Sequence, residues 1–195
     1  MVLENYFGEI PESEINIDED EKCARLKVEK GYDDPAIKKA EQAVRQNSRV
    51  RYSVVRVDVC YGKQDECDLS FGMIKSKSLY KLLYPCKEAF IFCVTLGNEN
   101  ERMLNRLSNL SPAEHFLFDA ISSAFVDSAC SNVEEKIKGE RQLTFRFGIG
   151  YGDLPLEIQP QILSLLNAEK LLGITLGKNL LMSPNKTITA IAGVK

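Results

Sequence analysis

An arginine followed by glycines at alternate positions marks the stretch Arg146-Phe147-Gly148-Ile149-Gly150-Tyr151-Gly152-Asp153. Glycine admits positive φ and leaves the backbone amides open to a ligand, with no Cβ in the way. The Arg146 guanidinium is a planar fork matched to a carboxylate, and Tyr151 offers an aromatic face. Arginine, bare amides and a ring together suit a small zwitterion or a nucleoside carrying one. The spacing is not a dinucleotide fingerprint, because Asp153 stands where G-x-G-x-x-G needs its third glycine. No G-x-x-x-x-G-K-[ST] occurs either, which excludes a Walker phosphate loop. The same glycines would serve a plain turn, with Arg146 paired to a nearby acid, and the residues alone leave both readings open.

Other chemistry is thinly represented. His115 is the single histidine, and Cys23, Cys60, Cys67, Cys86, Cys93 and Cys130 include no C-x-x-C pair. A zinc site of nitrogen and sulfur ligands is therefore not expected, and several cysteines lie in apolar runs such as AFIFCV, which predicts buried reduced thiols. No nucleophile and base stand together, so no catalytic residue is assigned.

The elements that must position the glycine loop follow from pattern. Glu12 to Glu21 is an acidic lead-in. Asp34-Pro35 offers an N-cap and a proline at the first helical position, predicting a helix to about Gln46. In RVRYSVVRVDVCYG, Val50, Tyr52 and Val54 alternate in one frame and Val57, Val59 and Tyr61 in the other, predicting a long strand with a bulge near Val55. Gly62 to Cys67 has turn chemistry, Asp68 to Ile74 reads as a hairpin return, and Ser78 as the cap of a short helix over Leu79 to Leu83. EAFIFCVTLG is a continuous apolar run, predicting a strand buried on both faces in mid-sheet.

Asn98 to Leu110 reads as a helix with Met103, Leu104, Leu107 and Leu110 inward. Ser111-Pro112-Ala113-Glu114 is a capping box opening the longest helix, to about Lys138, with small residues (Ala120, Ser122, Ser123, Ala124, Ser128, Ala129) for close packing. LTFRF reads as a short strand before the loop. QILSLLNAEKLLG gives one or two helices ended by Gly173, and TITAIAGV a last strand. This mixture without regular alternation predicts an α+β fold, a single domain with a mainly antiparallel twisted sheet packed by helices. Residues 1–48 form a lead-in and helix and residues 49–195 the core.

The chain has 195 residues, 44% hydrophobic and 27% charged, with net charge -3 from 25 basic and 28 acidic residues. That length can bury its own core. Scattered basic residues give no patch to displace counterions from phosphates, so no nucleic-acid partner is expected. No basic segment precedes an apolar run at the N-terminus, and no window reaches the roughly 18–20 apolar residues of a membrane span. The protein is expected in the cytoplasm.

Taken in order, R-x-x-x-G-Y (Arg146, Gly150, Tyr151), D-L-P-L-E-I-Q (Asp153 to Gln159), G-I-T-L (Gly173 to Leu176), M-S-P (Met182 to Pro184) and T-I-T (Thr187 to Thr189) resemble the activation domain of cobalamin-dependent methionine synthase. Upstream, Ser78 to Gly97 and F-D-A-I-S-S-A-F (Phe118 to Phe125) resemble the short stand-alone members of that family. The resemblance covers roughly Ser78 to Thr189. It implies an α+β module that binds S-adenosylmethionine and docks on the cobalamin-binding domain of a methionine synthase or another corrinoid protein. There it supports reductive methylation of cob(II)alamin, with a flavodoxin-type protein as electron donor. It further implies that Arg146 holds the methionyl carboxylate. Phe147, Gly148, Ile149 and Gly150 would offer main-chain groups, and Tyr151 would line the pocket. Fused members carry an acid where this chain has Ser123. An interaction module for a corrinoid protein that binds no S-adenosylmethionine is the alternative. A free-standing methyltransferase or hydrolase has no catalytic group to support it.

Overall fold

The order of elements is set by where apolar residues alternate and where caps interrupt them. The computed structural model describes residues 1–195. Strand β1 (Val2–Ile10) comes first, then helices α1 (Glu19–Leu26) and α2 (Pro35–Gln46). Strands β2 (Val50–Asp58), β3 (Cys60–Tyr61), β4 (Glu66–Asp68) and β5 (Met73–Lys75) lead to α3 (Lys77–Leu83). After β6 (Glu88–Thr95) come α4 (Asn98–Leu110) and the long α5 (Pro112–Lys138). β7 (Phe147–Gly148), α6 (Gln159–Leu165), α7 (Ala168–Leu172), β8 (Thr175–Leu176), β9 (Met182–Ser183) and β10 (Thr187–Val194) complete the chain.

Five strands form one antiparallel sheet in the order β1-β2-β6-β10-β7, so the apolar run of β6 lies at its centre as predicted. Side chains of β6 alternate between two cores: Phe90, Phe92 and Val94 meet α2, α4 and α5, while Ala89, Ile91 and Cys93 meet α3, α6 and α7. The architecture is α+β, an antiparallel sheet covered on both faces.

Two-sided cover also explains β2. Val50 and Val54 belong to the first core and Val55 and Val57 to the second. The β2–β6 register runs unbroken from Arg51↔Thr95 to Asp58↔Glu88. The frame change read as a bulge near Val55 is therefore no bulge; both frames are buried because both faces are covered. The one register shift lies between β1 and β2, at Val2/Glu4. Residues 1–48 hold more than a lead-in and one helix: β1 is an edge strand of the sheet, and α1 is capped by Asp18, which accepts from the Glu21 N–H at 2.9 Å. Asp34 caps α2 by accepting from the Ala36 N–H at 2.7 Å.

α5 runs over the extent predicted, opened by Ser111 accepting from the Glu114 N–H at 3.3 Å, a cap worth about 1 kcal/mol. Glu114 does not return the bond of a capping box and pairs with Lys39 at 3.1 Å instead. The small residues of α5 are used in packing: Ser122 accepts from Asn100 Nδ2 at 3.0 Å, and Ser128 from the Asp18 N–H at 3.0 Å. Leu110, expected inward, is 66% exposed at the end of α4. LTFRF is mostly not strand: Leu143 makes an isolated bridge to Val194, Phe145 is exposed, and only Phe147–Gly148 pairs with β10. None of the cysteines is in a disulfide; five are buried and Cys60 is exposed. No helix is long and apolar enough to cross a membrane.

Candidate ligand cleft

β7 accompanies β10 for two pairs only, Phe147 with Ile191 and Gly148 with Ala190. Gly150 then takes φ +85° and Gly152 φ +57°, a left-handed region that L side chains rarely adopt. The chain turns away, leaving Thr187 to Thr189 of β10 without a paired strand on that side. One bond crosses the gap, from the Ile149 N–H to the Thr189 carbonyl at 3.4 Å. A cleft of about 320 Å³ opens there, at the low end of the roughly 300–1,000 Å³ of small-molecule sites.

Its walls are Arg146, Phe147, Gly148, Ile149 and Tyr151 from the loop, Met182 and the start of β10, and Asp127 from α5. Five of the six residues singled out by sequence thus meet at one cleft. Gly150 does not line it, and its part is to turn the chain. Gly148 has a separate reason to be glycine: a Cβ there would lie 2.7 Å from Cδ2 of Tyr151. The Tyr151 ring can rest over that backbone only because no side chain intervenes, and it remains 71% exposed at the mouth.

Arg146 is half-buried and turned toward α5. Nη1 donates to the Glu134 carboxylate at 2.7 Å and to the Ser131 hydroxyl at 3.2 Å. Nη2 donates to the carbonyl and the carboxylate of Asp127, at 3.3 and 3.4 Å. Burial works against the guanidinium's charge, but Cys130 and Glu134 beside it outweigh this and raise its pKa above the ordinary value. The pairing of Arg146 with nearby acids, one of the two readings open from sequence, is present in this structure. Asp127 is shared, because its other oxygen accepts from Arg25 Nη2 of α1 at 2.6 Å.

Asp153, which breaks the dinucleotide spacing, has its own structural task. Its carboxylate accepts from the Ser76 hydroxyl at 2.7 Å and from the N–H groups of Lys77 and Ser78 at 2.7 and 3.1 Å. It thereby fastens the loop to the start of α3. Ser76, not Ser78, caps that helix by accepting from the Leu79 N–H at 3.1 Å; Ser78 lies inside its first turn. The Ser76 hydroxyl and those two amides hold the Asp153 carboxyl well below the usual carboxylate range.

Sequence reasoning passed over Asp127, Met182, Thr187, Ile188, Thr189 and Ala190 as cleft residues. A signal existed for Asp127. Asp119, Ser123, Asp127 and Ser131 recur every fourth residue, a polar stripe along one side of α5. At its other end Lys186 Nζ meets Asp119 at 2.8 Å and donates to Ser123 Oγ at 2.8 Å, so Ser123 is occupied by a lysine. Behind the wall, buried Gln159 exchanges hydrogen bonds with the Thr189 hydroxyl at 2.9 and 3.1 Å. The ionisable lining groups, Asp127, Arg146 and Tyr151, include no paired nucleophile and base. No group of three or more His, Cys, Asp or Glu is placed to hold a metal ion.

No protein-family model matches the sequence, and no curated protein matches it. Among solved structures, the chain is similar to the protein in the "Crystal Structure of the MetH Reactivation Domain bound to AdoHcy". The TM-score is 0.79 at 14% sequence identity, and the match covers 98% of this chain and 78% of that one. The chain has the fold of the MetH reactivation domain. The likeness takes in residues 1–48 as well as the stretch from Ser78 to Thr189 that carries the sequence resemblance, so β1, α1 and α2 belong to the reactivation-domain fold. That neighbour was solved with AdoHcy bound.

Proposed function

We propose that this protein is a reactivation module for a cobalamin-dependent methionine synthase, binding S-adenosylmethionine in the cleft beside β10 and docking on the cobalamin-binding domain. The observation that carries the reading is the conjunction of fold and place. A chain with the reactivation-domain fold opens its glycine loop into a cleft whose wall holds one guanidinium and one carboxylate. Arg146 would take the methionyl carboxylate and Asp127 the ammonium, giving a zwitterion both counter-charges. Main-chain groups of Phe147 to Ile149 would meet the nucleoside, with Tyr151 over the mouth and Gly150 shaping the turn. The cobalamin belongs to the partner, and a flavodoxin-type protein would supply the electron for reductive methylation. We take residues 1–195 as one module, since β1, α1 and α2 pack on the same sheet and on α5, and the cytoplasm as its setting.

Isothermal titration with S-adenosylmethionine tests the donor half. Wild type is expected to bind, and Arg146→Ala to bind more weakly, by less than the about 1.5–3 kcal/mol that hydrogen bonds to a charged group contribute, because Glu134 and Asp127 already hold the guanidinium. No heat from wild type at millimolar ligand would end that half. One observation favours the alternative of a corrinoid-protein interaction module without the ligand: both Nη groups of Arg146 are already bonded to α5. Capture of a corrinoid-binding domain in the absence of S-adenosylmethionine, undiminished by Arg146→Ala, would select it.

A further inference from the structure

Both Nη groups of Arg146 are engaged within the chain, and only its Nε–H is left without a partner. Each Nη has two hydrogens and two acceptors on α5. A ligand carboxylate gains a two-pronged grip on the guanidinium only by displacing one of those acceptors, and the two acids are not equally displaceable. Asp127 is held from two sides, by Arg146 and by Arg25 at 2.6 Å. Glu134 has Arg146 as its sole ion-pair and hydrogen-bond partner. It also has somewhere to go: beyond Arg146 it lines an open groove of about 580 Å³ that includes Lys138 and Arg141. Lys138 is already paired with Glu135 at 2.6 Å, so Arg141, which has no ion pair, is the cation that can receive Glu134.

We propose that Glu134 is a specificity-determining residue of the cleft: its carboxylate stands in for a ligand carboxylate on Arg146, so adenosyl ligands carrying an amino-acid carboxylate must displace it and those without one need not. This rests on the reading of the cleft as an adenosyl-sulfur site. In wild type, binding exchanges one arginine–carboxylate pair for another, and the ligand's carboxylate contributes little to affinity. The apparent affinity is lowered by the fraction of protein whose fork is free. Glu134→Gln keeps size and shape while removing the competing charge, and Glu134→Ala removes the competitor outright.

The test is calorimetric titration of wild type, Glu134→Gln and Glu134→Ala with S-adenosylhomocysteine and with 5′-methylthioadenosine, which lacks the amino-acid end. Both variants are expected to bind S-adenosylhomocysteine about tenfold tighter than wild type, with 5′-methylthioadenosine unchanged. The gain should vanish when Arg146→Ala is added. If both ligands bind and neither variant changes the ratio of their affinities, Glu134 has no such role and the cleft reading stands. If no protein binds either ligand, the cleft reading fails and the assignment of Glu134 fails with it.

Discussion

Gln159→Leu removes the polar group behind the cleft while nearly keeping its volume. Gln159 is 1% exposed and Thr189 is 4% exposed. The Thr189 hydroxyl has no other hydrogen-bond partner than the Gln159 amide. A buried hydroxyl left unpaired costs about 1–3 kcal/mol, whereas removing both partners of such a bond is close to neutral. Gln159→Leu and Thr189→Val should therefore each destabilise by about 1–3 kcal/mol. The second should sit at the lower end, because the amide keeps the Met182 sulfur at 3.0 Å. The double variant should be less destabilised than the sum of the singles by about 1–2 kcal/mol. Urea unfolding with a common m-value reads this out as midpoints. In thermal melts, 2 kcal/mol corresponds to about 4–8 °C for a chain of this size. Additivity within about 0.5 kcal/mol would refute the reasoning, since it would mean that the two groups do not satisfy one another.

Three further outcomes are expected. Gly150→Ala puts a Cβ on a residue at φ +85° and 3.1 Å from Leu156 Cδ1; a loss of about 1–2 kcal/mol in urea unfolding follows from the left-handed conformation, and an unchanged midpoint would contradict the turn described. Asp153 has a depressed folded-state pKa, so its contribution is present above the unfolded carboxylate value of about 4 and is lost as pH falls below it. Asp153→Asn should be less stable than wild type at pH 7, the gap closing in acid; a gap that widens there reverses the sign and discards the account. Ser111→Ala should cost about 1 kcal/mol by uncapping α5, measurable by the same unfolding curves.

The parts of the fold legible in the sequence were those fixed by local chemistry. β6 declared itself by an unbroken apolar run, α5 by Ser111-Pro112, and the ends of α7 and α2 by Gly173 and Asp34-Pro35. β1 was not legible, because an edge strand with one open side carries Glu4 and Glu9, which are balanced by Arg56 of β2 and by Arg49 just before it, beside an exposed Phe7, so its alternation is broken. The frame change in β2 was misassigned for a related reason. Alternation reports how many faces are covered only once the second layer is known. At the cleft, the glycines and Arg146 were visible as a local cluster. The acids that hold Arg146 lie on α5, before the turn that brings the chain back, and no spacing rule places Asp127 and Glu134 beside it.

The short pairing of β7 has a consequence for how this protein can vary. The sheet is fixed by β6, which has eight paired residues with β2 and eight with β10, whereas the loop that shapes the cleft leans on the sheet through two. The central registers thus do not depend on the pairing of the loop, although Gly150 and Asp153 within it carry stability of their own. Change at positions 146–153 leaves the central registers untouched, so the shape of the cleft can vary while the architecture persists. A fold kept at 14% identity is what such a division of labour permits.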